Sequence, residues 1–238
     1  KEKAKKCALL IHSQISDDNG TDLMAIKNAL CPDYKIIFSD KSVGHKQLNF
    51  FYNLADVTVN IASNEGWGLS LTEAMVSGTM IIPNVTGGMQ DQCRFENEKG
   101  EWIDFNADFP SNHRGTYTKC GDWAVPVFPS NISLAGSPPT PYIFDDRANP
   151  EDVAEALKVV YELGPEERNK RGLKGREWAL SDEAGFTAED IHDLGLTEFV
   201  QYNESNEPDA LNYGHMVALL TNAIKELISC NIAYPLRD

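Results

Sequence analysis

Residues 56–85 read DVTVNIASNEGWGLSLTEAMVSGTMIIPNV, and this stretch contains one complete strand–turn–helix–strand unit. The apolar run 56–62 predicts a strand, and a second predicted strand, 79–85, follows a helical segment that ends near Ser77 and Gly78. Two short strands that flank one helix indicate a βαβ unit, in which the strands are parallel.

The same alternation of strands and helices begins upstream of this unit. Strands are predicted over 7–12, as a buried strand, and over 34–38. A helix to about Leu30 is predicted to start after Asp22, which can cap it, and another is predicted over 46–55. Right-handed crossovers between such strands give a doubly wound parallel sheet with flanking helices, so the sequence predicts an α/β fold.

The pattern weakens after Cys93. Residues 94–146 are rich in Pro, Gly, Asn and aromatic residues, and we predict an irregular insertion there, with a short strand at 123–128 and a proline-rich surface loop at 136–146. Helices are predicted again over about 150–238. The last of them is a long amphipathic helix over 209–230, and we expect residues 1–238 to be a single domain.

The composition argues against nucleic-acid binding, against a transmembrane segment and against a disulfide framework. The 238-residue chain carries a formal net charge of −15, which argues against nucleic acid because phosphate-backbone binding needs clustered Lys and Arg. No run approaches the roughly 20 apolar residues of a transmembrane segment. The five cysteines are scattered without a Cys-x-x-Cys motif, which favours reduced thiols and a cytoplasmic protein.

Glycine-rich segments follow two of the predicted strands. Ligands bind beyond the carboxyl ends of the strands in an open parallel sheet, and here 63–68 and 84–91 combine glycines with the start of a helix. Free backbone N–H groups at such a place can bind an anion, so an acidic protein could hold a diphosphate in this way. A tight turn without a ligand explains the glycines equally well.

Two glutamates flank the first glycine turn. A carboxylate accepts two hydrogen bonds and suits the vicinal hydroxyls of a sugar or ribose, so Glu65 and Glu73 could face opposite ends of one ligand. The alternatives are an acidic residue favoured near a helix start for Glu65, and a solvated helix residue for Glu73.

Three segments resemble a known family. EGWGLSLTEAMVSGTMII (65–82) resembles the E-G-F-G-L-P-x-x-E-A-M-A-x-G-x-P-V-I motif of retaining glycosyltransferases with the GT-B fold, the large group 1, family-4-like set. NVTGGMQD (84–91) is similar to the downstream V-G-G-x-x-E turn of that family. FFYNLADVTVNIAS (50–63) is similar to its L-Y-x-x-A-D-V-F-V-x-P-S lead-in. The resemblance covers about residues 7–93, and the helices at 150–180 fit it loosely.

The resemblance implies one half of a GT-B architecture: the Rossmann-like C-terminal domain that binds the donor, with the N-terminal acceptor domain absent. It implies a nucleotide-diphosphate sugar as the donor, retaining transfer to an acceptor, and no metal or other cofactor. We find no Asp-x-Asp arrangement that indicates a metal site. The chain alone is therefore expected to be inactive without its N-terminal domain.

The resemblance also assigns roles to residues. Glu65 would be the catalytic residue that contacts hydroxyls of the transferred sugar, and Glu73 would contact the ribose hydroxyls. The other residues expected to bind the donor are Ser13, Gln14, Asn19, Gly66, Trp67, Gly68, Leu69, Ser70, Gly87 and Gly88. Trp67 has an alternative role as a core aromatic.

The sequence departs from the family after the first strand. The family places G-R-x-x-x-x-K-G there, and its Arg and Lys neutralise the diphosphate, whereas this chain has Ser13-Gln14 and Asn19, with Asp17 and Asp18 between them. Either the missing domain or another cation replaces the pair, or the chain is a catalytically degenerate nucleotide-sugar binding or regulatory module. Candidate cations are Lys41, His45, Lys46 and Arg94. A GT-B sugar-nucleotide epimerase is a third alternative, disfavoured because the motif around Glu65 and Glu73 is of the transferase type.

Overall fold

The structure is a computed structural model that describes residues 2–16, 20–103, 106–138, 140–181, 200–202, 205–206 and 208–211. Asn19, Asp17 and Asp18 lie outside the described residues, as does most of the predicted helix 209–230. The chain divides into two compact units, Lys1–Leu54 and Ala55–Asp238, and each is described by itself.

The first unit contains two parallel strands and two α-helices. The strands pair in register, from Ala8 opposite Lys35 to His12 opposite Ser39. The side chain of Asp22 accepts a hydrogen bond from the amide of Ala25 at 2.9 Å, so the predicted cap is confirmed. After a short 3-10 helix (Ala4–Lys6), the elements are β1 (Ala8–His12), α1 (Leu23–Leu30), β2 (Lys35–Ser39) and α2 (His45–Leu54).

The prediction that the first strand is buried is wrong. Leu9 in β1 is 50% exposed, and Ile37 in β2 is 44% exposed. The strand itself forms where predicted, but a sheet of two strands gives its apolar side chains little surface against which to pack.

The second unit contains the βαβ unit predicted over 56–85. Its two strands are parallel, with Val57 opposite Met80 and Asn60 opposite Pro83. The elements of this unit are β3 (Val57–Asn60), α3 (Leu69–Val76), β4 (Met80–Pro83), α4 (Gly88–Asp91), β5 (Asn131–Ser137), β6 (Thr140–Arg147), α5 (Pro150–Ala179), β7 (Val200–Tyr202) and β8 (Pro208–Leu211). The fold class predicted from the sequence is confirmed: a mixed α/β fold with parallel sheets and flanking helices.

The predicted short strand at 123–128 lies parallel to β4. The amide of Ile81 donates to the carbonyl of Trp123 at 3.0 Å, and the amide of Val127 donates to that of Pro83 at 2.9 Å. β4 is therefore bordered on both sides, by β3 and by this segment. The complete burial of Ile81 and Ile82 follows from that central position.

Helix α5 covers this sheet. Val160 packs with Met80 and Ile82 in the core, and Gly172 lies so close to Gly78 that a Cβ there would overlap the Gly78 carbonyl oxygen. The helix is kinked at Gly164, whose φ of 74° is left-handed, so the two helices predicted on either side form one broken element.

Two predictions about secondary structure are wrong. The predicted insertion contains an antiparallel hairpin, and residues 140–146, predicted as surface loop, belong to β6. Residues 200–202 and 209–211, predicted within helices, lie in β7 and β8, which pair with each other. No helix in the described ranges has both the length and the apolar composition needed to cross a bilayer.

Cys7, Cys93 and Cys120 differ in burial, so we expect their thiols to differ in reactivity. Burial raises the pKa of the Cys93 thiol well above its usual value and raises that of Cys120 to about 12, whereas Cys7 is exposed. A protonated thiol is a poor nucleophile.

In the native chain at neutral pH, iodoacetamide should therefore modify Cys7 and spare Cys93 and Cys120, as read by peptide mass mapping. The same chain in urea is the control, and equal native labelling of Cys7 and Cys120 would contradict the assignment.

Candidate functional site

The two glycine turns pack against each other, backbone to backbone, in the second unit. A Cβ on Gly87 would overlap the carbonyl oxygen of Glu65, and one on Gly88 would overlap that of Gly66. Gly87 also has a φ of 52°, a region that favours glycine. The turn after β3 and the turn after β4 thus meet at the carboxyl edge of the sheet, and the contact requires glycine on one side.

A buried glutamine supports the first turn. The amide nitrogen of Gln92 donates to the carbonyls of Trp67 and Gly68, and its oxygen accepts a 2.9 Å hydrogen bond from the hydroxyl of Thr72. That hydroxyl in turn accepts the indole N–H of Trp67 at 2.8 Å. The polar groups of Gln92 are therefore satisfied inside the protein, and its hydrogen bonds fix the path of the turn.

The indole of Trp67 is half-buried and hydrogen-bonded into this network, so it has a structural role whether or not it touches a ligand. Gly68 has a left-handed φ of 88° and forms the N-cap of α3 without a side-chain capping bond. The helix therefore begins with the amides of Leu69 and Ser70 and without a capping side chain above them. Such an end can accept an anion.

Glu65 and Glu73 are carried by different elements. Glu65 lies half-buried in the turn, directly before Gly66. Glu73 is exposed on α3, one helical turn after the exposed Leu69, while Leu71 and Ala74 face the core. The position of the first carboxylate therefore depends on the turn, and that of the second depends on the helix.

Two of the remaining predicted donor-binding residues, Ser13 and Gln14, lie in the first unit, and Ser70 lies in the second. Ser13 and Gln14 are exposed in the loop after β1, where the amide of Ser13 donates to the carbonyl of Ser39 at 3.1 Å. Ser70, in the second unit, accepts a 3.3 Å hydrogen bond from the amide of Asn60. Their roles in binding stay predictions, as do those of Glu65, Glu73 and the glycines.

A second polar cluster lies at the same sheet edge and was not predicted. Asp146, at the end of β6 and 6% exposed, accepts hydrogen bonds from the hydroxyl of Thr86 at 2.8 Å and the amide of Asn112 at 3.0 Å. Its backbone N–H donates to the carbonyl of Ser63 at 2.8 Å, and Asn84 bonds to its carbonyl at 3.1 Å. Because these partners are distant in sequence, no local pattern could have indicated the cluster.

A buried glutamine in α4, the helix that follows the second turn, is paired with a buried histidine. Gln90 in α4 donates to the carbonyl of Pro110 at 2.9 Å, and its side-chain oxygen lies 3.1 Å from Nδ1 of His113. Nε2 of His113 lies 2.8 Å from the carbonyl oxygen of Tyr117, and the ring packs edge-on against Phe95. Burial lowers the pKa of His113, and the hydrogen bond to Tyr117 opposes this in part.

The part of the chain that the structure describes contains no cluster of side chains suited to binding a metal ion. No three His, Cys, Asp or Glu side chains lie together there in a way that could hold an ion.

The contact between the glycine turns can be tested by a matched pair of substitutions. Gly88→Ala places a methyl group against backbone that cannot move aside, and we expect the free energy of unfolding to fall by about 2 kcal/mol. Gly66→Ala is the control, because a Cβ there meets nothing within 4 Å, and its effect should stay below about 1 kcal/mol. Urea denaturation measures both, and equal effects would contradict the close approach.

The buried His113 predicts a pH dependence of stability. Because its pKa is lower in the folded chain, the unfolded chain binds the proton first as the pH falls below the ordinary value of 6.5. The free energy of unfolding should therefore be at its full value above that pH and decrease as the pH falls towards the lowered pKa. The non-titrating variant His113→Gln should show a shallower decrease in urea titrations at several pH values, and parallel curves would contradict the assignment.

One of two comparisons with known proteins found a match, and the match includes the two glycine turns. A search of curated proteins found no significant match. Residues 33–109 match the family model described as Glycosyl transferases group 1, and this range contains both glycine turns with Glu65 and Glu73. The match supports a group 1 glycosyltransferase domain, with glycosyl transfer as its general activity.

Proposed function

We propose that this chain is the donor domain of a retaining GT-B glycosyltransferase and binds a nucleotide-diphosphate sugar. The observation that carries the proposal is the packing of two glycine turns, one after β3 and one after β4, within the segment that matches the family. The carboxyl edge of a parallel sheet is where open α/β folds bind nucleotides. Backbone N–H groups in turns at that edge can bind a diphosphate.

The diphosphate is proposed to bind at the start of α3 and along the turn at Gly87 and Gly88. Negative charge grows on the diphosphate as the bond to the sugar breaks. Backbone N–H groups held by a rigid turn stabilise such charge because they need no reorganisation during the reaction. The buried Gln92 supplies that rigidity by holding the carbonyls of Trp67 and Gly68.

Each glutamate is proposed to bind one end of the donor. Glu65, next to the contact between the turns, accepts hydrogen bonds from hydroxyls of the transferred sugar as the catalytic residue. Glu73, further along the exposed face of α3, accepts those of the ribose. The reaction proposed for this arrangement needs no metal, and an N-terminal GT-B domain would bind most of the acceptor. We also propose that the enzyme acts in the cytoplasm.

A nucleotide-sugar binding module without transferase activity is the second candidate. It is favoured by Gln14, a neutral side chain exposed in the loop where the related enzymes carry Arg. The two candidates share donor binding, and turnover measured with an acceptor domain present separates them.

Calorimetric titration with UDP-, GDP- and ADP-glucose, and with the free diphosphates, tests donor binding. Glu73→Ala should weaken the binding of both the nucleotide sugar and the nucleoside diphosphate about tenfold or more, since both ligands contain the ribose. Glu65→Ala should weaken the nucleotide sugar but leave the diphosphate unchanged.

The exposed helix residue Glu177 provides a matched control, because Glu177→Ala removes the same charge from α5. Its affinities should equal those of the wild type. The proposal fails if none of the nucleotide sugars binds, or if Glu73→Ala binds as tightly as the control.

A further inference from the structure

We propose that Arg114 is a cation that binds the diphosphate of the donor. This inference rests on the proposed function and adds a specific residue to it. The family resemblance puts the diphosphate-neutralising Arg and Lys after the first strand, where this chain has Gln14 and Asn19. Arg114 lies instead in the segment between α4 and β5, which the family motifs do not include.

Arg114 is held at the carboxyl edge of the parallel sheet. Its Nη1 donates a 2.9 Å hydrogen bond to the carbonyl of Pro129, directly after the 123–128 segment. Its Nη2 lies 3.8 Å from Oδ1 of Asp146. Asp146 is itself bonded to Thr86, which follows β4, and to Ser63, which follows β3. Because the three strands are parallel, these contacts put the guanidinium at the edge where ligands bind.

The guanidinium is also close to the second glycine turn. Thr86 directly precedes Gly87, and a single carboxylate, that of Asp146, contacts both Thr86 and Arg114. The Asp146 carboxylate therefore brings the guanidinium and the residue before the Gly87 turn to the same place, where a bound diphosphate is proposed to contact both. Planar N–H donors on a guanidinium match phosphate oxygens in pairs.

The contacts of Arg114 fix its position but leave donors for a ligand. The 3.8 Å separation from Asp146 is longer than a hydrogen bond, so the carboxylate attracts the guanidinium without occupying its N–H groups. The carboxylate is instead hydrogen-bonded by Thr86 and Asn112. The side chain of Arg114 is 39% exposed while that of Asp146 is 9% exposed, so solvent and ligands reach the cation rather than its counter-ion.

Two other arginines of this unit are hydrogen-bonded directly to a carboxylate. Arg94, a candidate from the sequence, donates to Glu96 at 2.7 Å, and Glu96 also contacts Lys119. Arg147 donates to Asp145 at 2.9 Å and to Ser133 at 2.8 Å. A chain with a net charge of −15 repels a diphosphate, so a local cation with available donors has a large effect on its binding.

Arg114→Gln and Arg147→Gln form a matched pair that tests the assignment. Each removes one guanidinium paired with an aspartate of β6, and Asp145 and Asp146 point to opposite faces of that strand. The ligands titrated are inorganic pyrophosphate and the nucleoside diphosphates UDP, GDP and ADP. The corresponding nucleosides, which carry no phosphate, are titrated for comparison. Arg114→Gln should weaken pyrophosphate and diphosphate binding about 10- to 100-fold and leave nucleoside binding unchanged. Arg147→Gln should change all of them less than about twofold.

Arg114→Lys keeps the positive charge but loses the planar pair of N–H donors, so diphosphate binding should weaken by about threefold to tenfold. This variant decides the question if Arg114→Gln does not fold, as judged from its thermal melting curve. Wild-type affinity in Arg114→Lys, or equal losses in the two glutamine variants, would overturn the assignment. So would a loss of nucleoside binding parallel to the loss of diphosphate binding, which would indicate a structural role.

The experiment also separates this inference from the proposed function. Pyrophosphate binding that depends on Arg114, without binding of any nucleotide sugar, supports the anion site and refutes the donor-domain proposal. Nucleotide-sugar binding that is unaffected by Arg114→Gln refutes the anion site and supports the donor-domain proposal. If the wild type binds neither pyrophosphate nor a nucleotide, both are refuted.

Discussion

The candidate site depends on one backbone contact, the approach of Gly87 and Gly88 to the carbonyls of Glu65 and Gly66. No side chain fits between these turns, so the ends of β3 and β4 can come together only where glycine occupies the second turn. The contact sets the positions of Glu65 and of the start of α3, and it fixes the second turn directly after Thr86. Gln92 then holds the first turn through buried hydrogen bonds, and Gln90, in the helix that follows the second turn, bonds to the carbonyl of Pro110.

The sequence was sufficient to predict the features that arise from local physics. The period of the apolar residues, the Asp22 cap and the glycines gave the strands and helices of residues 7–91 close to their observed bounds. The alternation of strand and helix also gave their parallel pairing. Each of these features depends on residues within a few positions of one another, or on the general rule for βαβ connections.

The features that were missed depend on contacts between distant residues. Asp146 is bonded to Thr86 and Ser63 from far along the chain, so nothing in the sequence around it separates a buried hub from a loop aspartate. The same holds for residues 140–146, where prolines nearby suggested a loop but pairing with β5 produced a strand. The exposure of Leu9 was missed for the converse reason, since an apolar run predicts a strand but does not supply the surface that would cover it.

An anion site in an acidic protein requires positive potential from a small number of groups. With a net charge of −15, the long-range field of this chain opposes a diphosphate, so binding must come from contacts at short range. Backbone N–H groups at glycine turns provide partial positive charges whose direction the fold fixes. The guanidinium of Arg114, held at the same sheet edge by Asp146 and the carbonyl of Pro129, adds N–H donors and a positive charge that the carboxylate offsets in part. Local geometry, more than overall charge, therefore decides whether this protein can bind a phosphate ligand.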